Sequence, residues 1–489
     1  MTSVWKPIIG LEIHAELETH SKMFSACPVV LEGEPNTAVD AVTLGLPGTL
    51  PVINARAIEM ATMVGLALHC DIPPLNQFAR KSYFYPDLPK GYQISQYDRP
   101  LAINGYLDIE VTPEKGEPYS KRIRIRRAHL EEDTGKLTHV DAAHSLVDYN
   151  RAGVPLLEIV TEPDINSAEE AEAFVRQLRA ILQYLGVNSG DMSKGVLRAE
   201  PNISVMRSDD SAFRTRTEVK NLNSIRSVFR SINYEVQRQI KLHESGEGVK
   251  QATVGWDENK QKTFIQRYKE RADEYRYFPE PDLPIVEMSR AYVADVRARL
   301  PELPDAKRER FVSALGLSRY DAGVLVAEQA VAHYYEDVLA AGADAKAAAN
   351  WIIGSLFALM NKAGFEREQI AQTKITPQHL AALIKLVEAG TLNKGTGMTV
   401  LETMWQSGDA PEKIVAEKGL AQVSDKSAIA ATVAQVLREN EALARDYLNG
   451  KDKLFMALVG ACMKALRGQG NAQIVREVLS EQLEALRDV

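Results

Sequence analysis

The hydrophobic pattern of this chain changes period once, near residue 291, and that change limits its fold more than any other feature. Before it, apolar and polar residues alternate in short runs such as GLEIHAEL, GYLDIEV, KRIRIRR and PLLEIV. Period-two runs bounded by Pro and Gly predict strands. Three longer stretches between them, residues 56–68, 168–185 and 224–244, carry helical spacing. Ser167 and Glu170 stand at capping-box spacing at the start of the second. From Tyr292 onward Ala becomes abundant, strand signals fade, and Pro301, Pro304, Pro377 and Pro411 punctuate helices. A polar stretch from Gln406 to Ser424 marks a second boundary. The expected architecture is an α+β domain over 1–291, an all-α domain over 292–408 and a small all-α tail over 409–489.

Composition trims the possible functions. A length of 489 residues suits three domains of about 150 residues each. The net charge of −8, from 58 Lys and Arg against 66 Asp and Glu, disfavours a protein that coats nucleic acid through bulk charge. Local basic patches carry that question instead. Cys27, Cys70 and Cys462 are too few and too scattered for a disulfide framework or a Cys-based zinc site. That usage suits a reducing cytosol. The start, MTSVWKPIIGLEIHAEL, shows no apolar leader core, and no run of 18 apolar residues occurs.

The chemistry-bearing residues cluster in the first half. Alternation places Glu12, His14 and Glu16 on one face of the first strand, neighbours roughly 6.5–7 Å apart. A carboxylate and an imidazole at that spacing can converge on one cation; a solvated polar face is the plainer reading. HLEEDTGK packs Glu131, Glu132 and Asp133 between a basic run and a glycine. Glu158 sits inside the apolar strand PLLEIV, where an ionised carboxylate needs a partner, either a metal or an arginine such as Arg151. No P-loop, GxGxxG, HExxH, GxSxG or Ser–Lys amidase signature is present. Any nucleotide would be held through metal-bound phosphates and scattered cations such as Lys81, Arg198 and Lys220. Basic patches lie at 121–127, where Arg122, Arg124 and Arg126 share a strand face, and at 450–476 in the tail. Lys451, Lys453, Lys464 and Arg467 of the second patch are candidates for phosphate contacts.

Several long strings carry a resemblance across essentially the whole chain. WKPIIGLEIHAELETHSKMFSACP, PGTLPVINARAI, RKSYFYPDLPKGYQISQYDRPL, HLEEDTGKLTH, DYNRAGVPLLEIVTEPD, EVKNLNSI and EYRYFPEPDLP resemble the B subunit family of aspartyl/glutamyl-tRNA amidotransferases. The resemblance implies an α+β cradle, a helical domain and a YqeY-type tail that binds tRNA. It implies ATP-dependent phosphorylation of the side-chain carboxylate of Glu-tRNA(Gln) or Asp-tRNA(Asn), then amidation with ammonia from a glutaminase partner. ATP and Mg²⁺ are the implied cofactors. The implied partners are an amidase, the A subunit, and a small C subunit, in a bacterial-type cytoplasm. The family's catalytic and metal motif maps onto Glu12, His14, Glu132 and Glu158. Lys81 maps close to the transferred phosphate. RAEPN at 198–202 stands where relatives have Arg-x-Asp-x-Asn, so Glu200 lengthens that arm.

Overall fold

The computed structural model describes the chain apart from residues 1–4, 31, 142–143, 269–274, 422–425, 467–469 and 487–489. It divides into two units, Met1–Pro304 and Asp305–Val489. The first holds strands β1 (Trp5–Glu16), β2 (Leu75–Asn76), β3 (Phe78–Ser82), β4 (Tyr92–Gln96) and β5 (Ala102–Val111). They are followed by β6 (Tyr119–Glu132), β7 (Lys136–His139), β8 (Ser145–Asp148), β9 (Pro155–Thr161) and β10 (Leu197–Arg207). The last are β11 (Thr217–Lys220), β12 (Ala252–Asp257), β13 (Lys262–Tyr268), β14 (Phe278–Pro279) and β15 (Val286–Glu287). Its helices are α1 (Ala55–Ala67), α2 (Ala168–Tyr184), α3 (Ile225–Glu244) and α4 (Arg290–Ala298).

An eight-stranded sheet organises this unit, in the order β13-β12-β11-β10-β1-β9-β6-β5. The β11–β12 pair is parallel and the other neighbours are antiparallel. The N-terminal strand thus lies at the middle. Strand alternation then sorts the sheet into two faces. On one, Leu11, Ile13, Ala15, Leu157, Ile159, Leu130 and Ala199 are buried and join one core with α1, α2 and α3. The other face carries the charged residues.

The helices start where their caps allow. Asn54 accepts the Arg56 and Ala57 N–H groups ahead of α1, and Ser224 accepts that of Ser227 ahead of α3. Ser167 caps α2 through the Glu170 N–H. The reciprocal half of the expected box is replaced: the Glu170 carboxylate takes the N–H of Asn166 at 2.7 Å and the Lys121 ammonium at 2.6 Å.

The second unit is helical. One core gathers Phe311, Tyr335, Trp351, Leu380, Leu401 and Ile414 among others, and another gathers Ile429, Val433, Leu458, Cys462, Val475 and Leu479. The helix from Ala345 to Lys362 contains a π-helical segment at Trp351–Leu356. The Asn393-capped helix Lys394–Ser407 ends on Gly408 in the left-handed region, φ 78°. No helix among the described residues is long and apolar enough to cross a membrane.

Candidate active site

The polar face of the sheet is assembled by register. His14 lies opposite Glu158 on β9 and Arg198 on β10, and Glu12 opposite Glu200. Glu158 in turn lies opposite His129 on β6, and Asn202 opposite Glu218 on β11. Because side chains alternate, Glu12, His14, Glu131, Glu158, Glu200 and Glu218 project from the same side.

They form two groups. His14, Glu131 and Glu158 each bring one ligand atom within 4.8 Å of the other two, and so do Glu12, Glu200 and Glu218. His14 Nε2 is 3.6 Å from Glu158 and 3.7 Å from Glu131. His129 Nε2 reaches Glu158 at 3.4 Å from the other side. Burial alone would lower the His14 pKa, but Glu158, Glu200 and Glu131 outweigh it and push it up to about 9. Burial opposes the Glu158 charge, yet His129 and His14 overcome it and hold the carboxyl well below its usual range. Glu158 therefore has two imidazoles as partners, in place of the arginine considered as an alternative. Arg151 turns instead to Asp133, at 3.8 Å, and to the Thr134 and Gly135 carbonyls.

The second group is tied to its own polar neighbours. Asn202 donates to Glu12 at 3.0 Å, Lys220 to Glu200 at 2.5 Å, and Thr253 to Glu218 at 2.9 Å. The oxygen-only set suits a hard cation, and the first set adds one imidazole nitrogen. Among the described residues, His14 Nδ1 and Asn202 Oδ1 are buried without a hydrogen-bond partner, so the Asn202 oxygen offers unused ligating capacity on this face.

Glu12, His14 and Glu158 thus meet on one face, while Glu132 is placed elsewhere. Its carboxylate is bound by the Lys90 ammonium at 2.5 Å and the Ile94 N–H at 2.9 Å. The cause is parity: His129 and Glu131 share a face of β6, and Glu132 takes the other. Glu131 was legible by that rule; Glu200 and Glu218 required the register between strands. Arg198 is bound to Asp133 at 2.8 Å and lies 3.7 Å from Glu16, and Lys220 is spent on Glu200 and Glu218. Both cations buttress carboxylates. Burial and the Asp133 charge raise the Glu16 carboxyl to about 8, against the opposing charge of Arg198.

Lys81, on β3, forms no hydrogen bond or ion pair with a described residue. Its ammonium lies 5.2 Å from the Tyr275 ring centroid and 5.7 Å from that of Tyr83. Burial works against its charge, but Glu131, Tyr277, Tyr83 and Glu158 together hold the pKa above the ordinary lysine value. A groove of about 560 Å³ adjoins these groups, its wall including Glu12, Glu158, Asn202, Tyr97, Arg127 and Arg216.

The expected basic strand face is neutralised. Arg122 pairs with Asp108, Arg124 with Asp164 and Arg126 with Glu162, at 2.7, 2.7 and 2.9 Å. In the tail, Lys451 pairs with Asp446 at 2.9 Å. Lys453 and Lys464 are exposed, and Arg467 lies outside the described residues.

An α+β scaffold with two carboxylate groups on one sheet face, and a caged ammonium from a second, three-stranded sheet close to them, defines an enzyme of charged, oxygen-rich substrates. Residues 7–294 match the family model described as the GatB/GatE catalytic domain, and residues 333–483 match that of the GatB domain. The chain is 49% identical over 483 residues to the B subunit of the aspartyl/glutamyl-tRNA(Asn/Gln) amidotransferase of Caldicellulosiruptor saccharolyticus, covering 99% of this chain and 100% of the relative. It is 48% identical over 484 residues to the protein of the same name from Geobacter sulfurreducens, covering 98% and 99%. The chain belongs to the B subunit family of the aspartyl/glutamyl-tRNA(Asn/Gln) amidotransferases.

Proposed function

We propose that this chain is the ATP-dependent, carboxylate-activating component of a glutamine-dependent aspartyl/glutamyl-tRNA amidotransferase. The observation that carries this reading is the presence of two carboxylate groups on one sheet face with the caged Lys81 ammonium of β3 close to them. A carboxylate is a poor acyl donor until its oxygen becomes a good leaving group. The side-chain carboxylate of Glu-tRNA(Gln) or Asp-tRNA(Asn) attacks the γ-phosphorus of ATP, the bond to ADP breaks, and an acyl phosphate forms. Ammonia then attacks the acyl carbon, phosphate departs, and the nitrogen gives up a proton, leaving Gln-tRNA(Gln) or Asn-tRNA(Asn). Phosphoryl transfer of this kind depends mainly on positioning and on charge stabilisation.

His14, Glu131 and Glu158, with Glu12, Glu200 and Glu218 beside them, are the residues that would hold Mg²⁺. Such an ion supplies charge neutralisation on phosphate oxygens. Glu132 supports the site indirectly by fixing Lys90. His129 keeps Glu158 ionised, and Lys81 orients the substrate carboxylate. Arg198 and Lys220 hold the acids apart, and Arg216 faces the nucleotide phosphates from the groove wall.

The division into a cradle at 1–291, a helical domain at 292–408 and a tail at 409–489 belongs to the same reading. Lys451, Lys453, Lys464 and Arg467 in the tail contact the tRNA backbone. The amidase A subunit supplies ammonia, the small C subunit completes the heterotrimer, and the complex works in the cytoplasm. The test is to incubate the purified complex with Glu-tRNA(Gln), ATP and Mg²⁺. Release of ADP that depends on the aminoacylated tRNA is expected, and its absence refutes the enzyme reading.

A further inference from the structure

Four tyrosines run from Lys81 to the rim of the groove. Tyr83 meets Tyr275 edge to face at 5.9 Å between centroids, Tyr275 meets Tyr277 at 6.3 Å, and Tyr277 stacks on Tyr97 at 4.1 Å and 10°. Rings that merely support a fold join its hydrophobic core. None of these four does, and Tyr97 remains 41% exposed. Tyr83 donates its hydroxyl to Gln93, whereas the hydroxyls of Tyr97, Tyr275 and Tyr277 bond to no described residue.

Two further observations point to a ligand. Arg276, between Tyr275 and Tyr277, has φ 47°, a conformation costly for a residue with a Cβ. The Arg127 guanidinium lies 5.9 Å from the Tyr97 ring, and among the described residues it has no ion-pair partner and its buried Nε has no hydrogen-bond partner. An aromatic platform beside an unpaired guanidinium is the equipment for an unstacked base and its phosphate.

We infer that the Tyr97–Tyr277 stack seats the unpaired 3′-terminal adenosine of the aminoacylated tRNA, with Arg127 on the adjoining phosphate. This rests on the function proposed above. The aminoacyl group hangs from the ribose of that nucleotide. A base held at the outer end of the row thus directs the side-chain carboxylate inward, along the rings, to Lys81 and the acids. Adenine is also part of ATP, so the two sources are separated by experiment.

The complete amidotransferase complex is prepared with Tyr97→Ala and, separately, Tyr97→Phe. Tyr97→Ala is expected to raise the KM for Glu-tRNA(Gln) roughly tenfold or more, the scale of one lost base–ring stack, while the KM for ATP stays within about twofold. Tyr97→Phe keeps the ring and stays close to wild type. In a binding assay without turnover, removing the terminal adenosine weakens tRNA binding to wild type but not to Tyr97→Ala. A rise in the KM for ATP alone would assign the stack to the nucleotide and overturn the inference. So would unchanged constants, or a terminal-adenosine effect that persists undiminished in Tyr97→Ala. The binding arm decides this point even if the wild-type complex forms no amide, the result that refutes the function reading instead.

Discussion

Glu131 and Glu132 are chemically identical neighbours with opposite surroundings. Glu131 stands beside His14, and Glu132 is locked onto Lys90 and the Ile94 N–H. Glu131→Gln is therefore expected to cut aminoacyl-tRNA-dependent ADP release by at least tenfold with little change in the unfolding midpoint. Glu132→Gln strands a buried ammonium and is expected to cost about 3 kcal/mol or more in a denaturant titration. Equal effects on both readouts from both variants would contradict the two-faced strand. Glu16 offers a pH test. Its carboxyl, 5% exposed, rises from the ordinary 4.5 to about 8 through burial and the Asp133 charge. The folded state then holds the proton more tightly than the unfolded state. The stability so conferred is full below the ordinary pKa and is lost as pH climbs from about 4.5 to about 8. Glu16→Gln cannot ionise, so relative to wild type it should gain stability from pH 5 to pH 8.5. A midpoint difference that is flat with pH, or of opposite slope, would remove this account. At this scale the strand period was enough to put Glu12 and His14 on one face, and Glu158 joined them through the family resemblance. Asp133, Arg198 and Glu200 depend on partners more than sixty positions away or on neighbouring strands, which a one-dimensional pattern does not carry.

Elements were legible where local rules acted alone. The periods of 2 and 3.6 found β1, β5, β6, β9 and the three main helices, and side-chain caps set the helix starts within a residue. Charge meaning was less legible. Arg122, Arg124 and Arg126 read as a basic strand face until β5 and the segment after β9 brought an acid to each. Such exposed pairs add little stability, but they cancel that face's charge. Close approach between elements was invisible as well. Gly105 on β5 leaves no room for a side chain: a Cβ there would lie 2.3 Å from Cys70 Sγ and 2.6 Å from the Leu68 carbonyl oxygen. Gly105→Ala is expected to destabilise the first unit by about 1–3 kcal/mol in chemical denaturation. An unchanged midpoint would show that the 68–70 turn yields freely.

The whole chain joins a large α+β unit to helical cores of modest size. The residues around Ile429, Val433, Leu458 and Leu479 form a core of their own. Ending the chain before residue 425 should therefore leave the unfolding transition of the first unit in place. Affinity for tRNA should fall by at least tenfold, read by filter binding on the assembled complex. Retained affinity would take the tRNA role away from the tail. The acidic total of −8 coexists with this because the charge is sorted locally. Acids gather on one sheet face, and Lys453 and Lys464 stand exposed at the far end of the sequence.

The central position of β1 also governs how the chain is made. β1 leaves the ribosome before the two strands it must end between, and its Leu11 N–H waits for the Thr161 hydroxyl, 150 residues later. Until β9 and β10 are synthesised, both edges of a strand bearing Glu12 and His14 stay unpaired. Closing loops of that length is slow, and open edges invite association with other chains. A nascent chain stalled before β10 has His14, Glu131 and Glu158 but lacks Glu200 and Glu218, so the second carboxylate group cannot form.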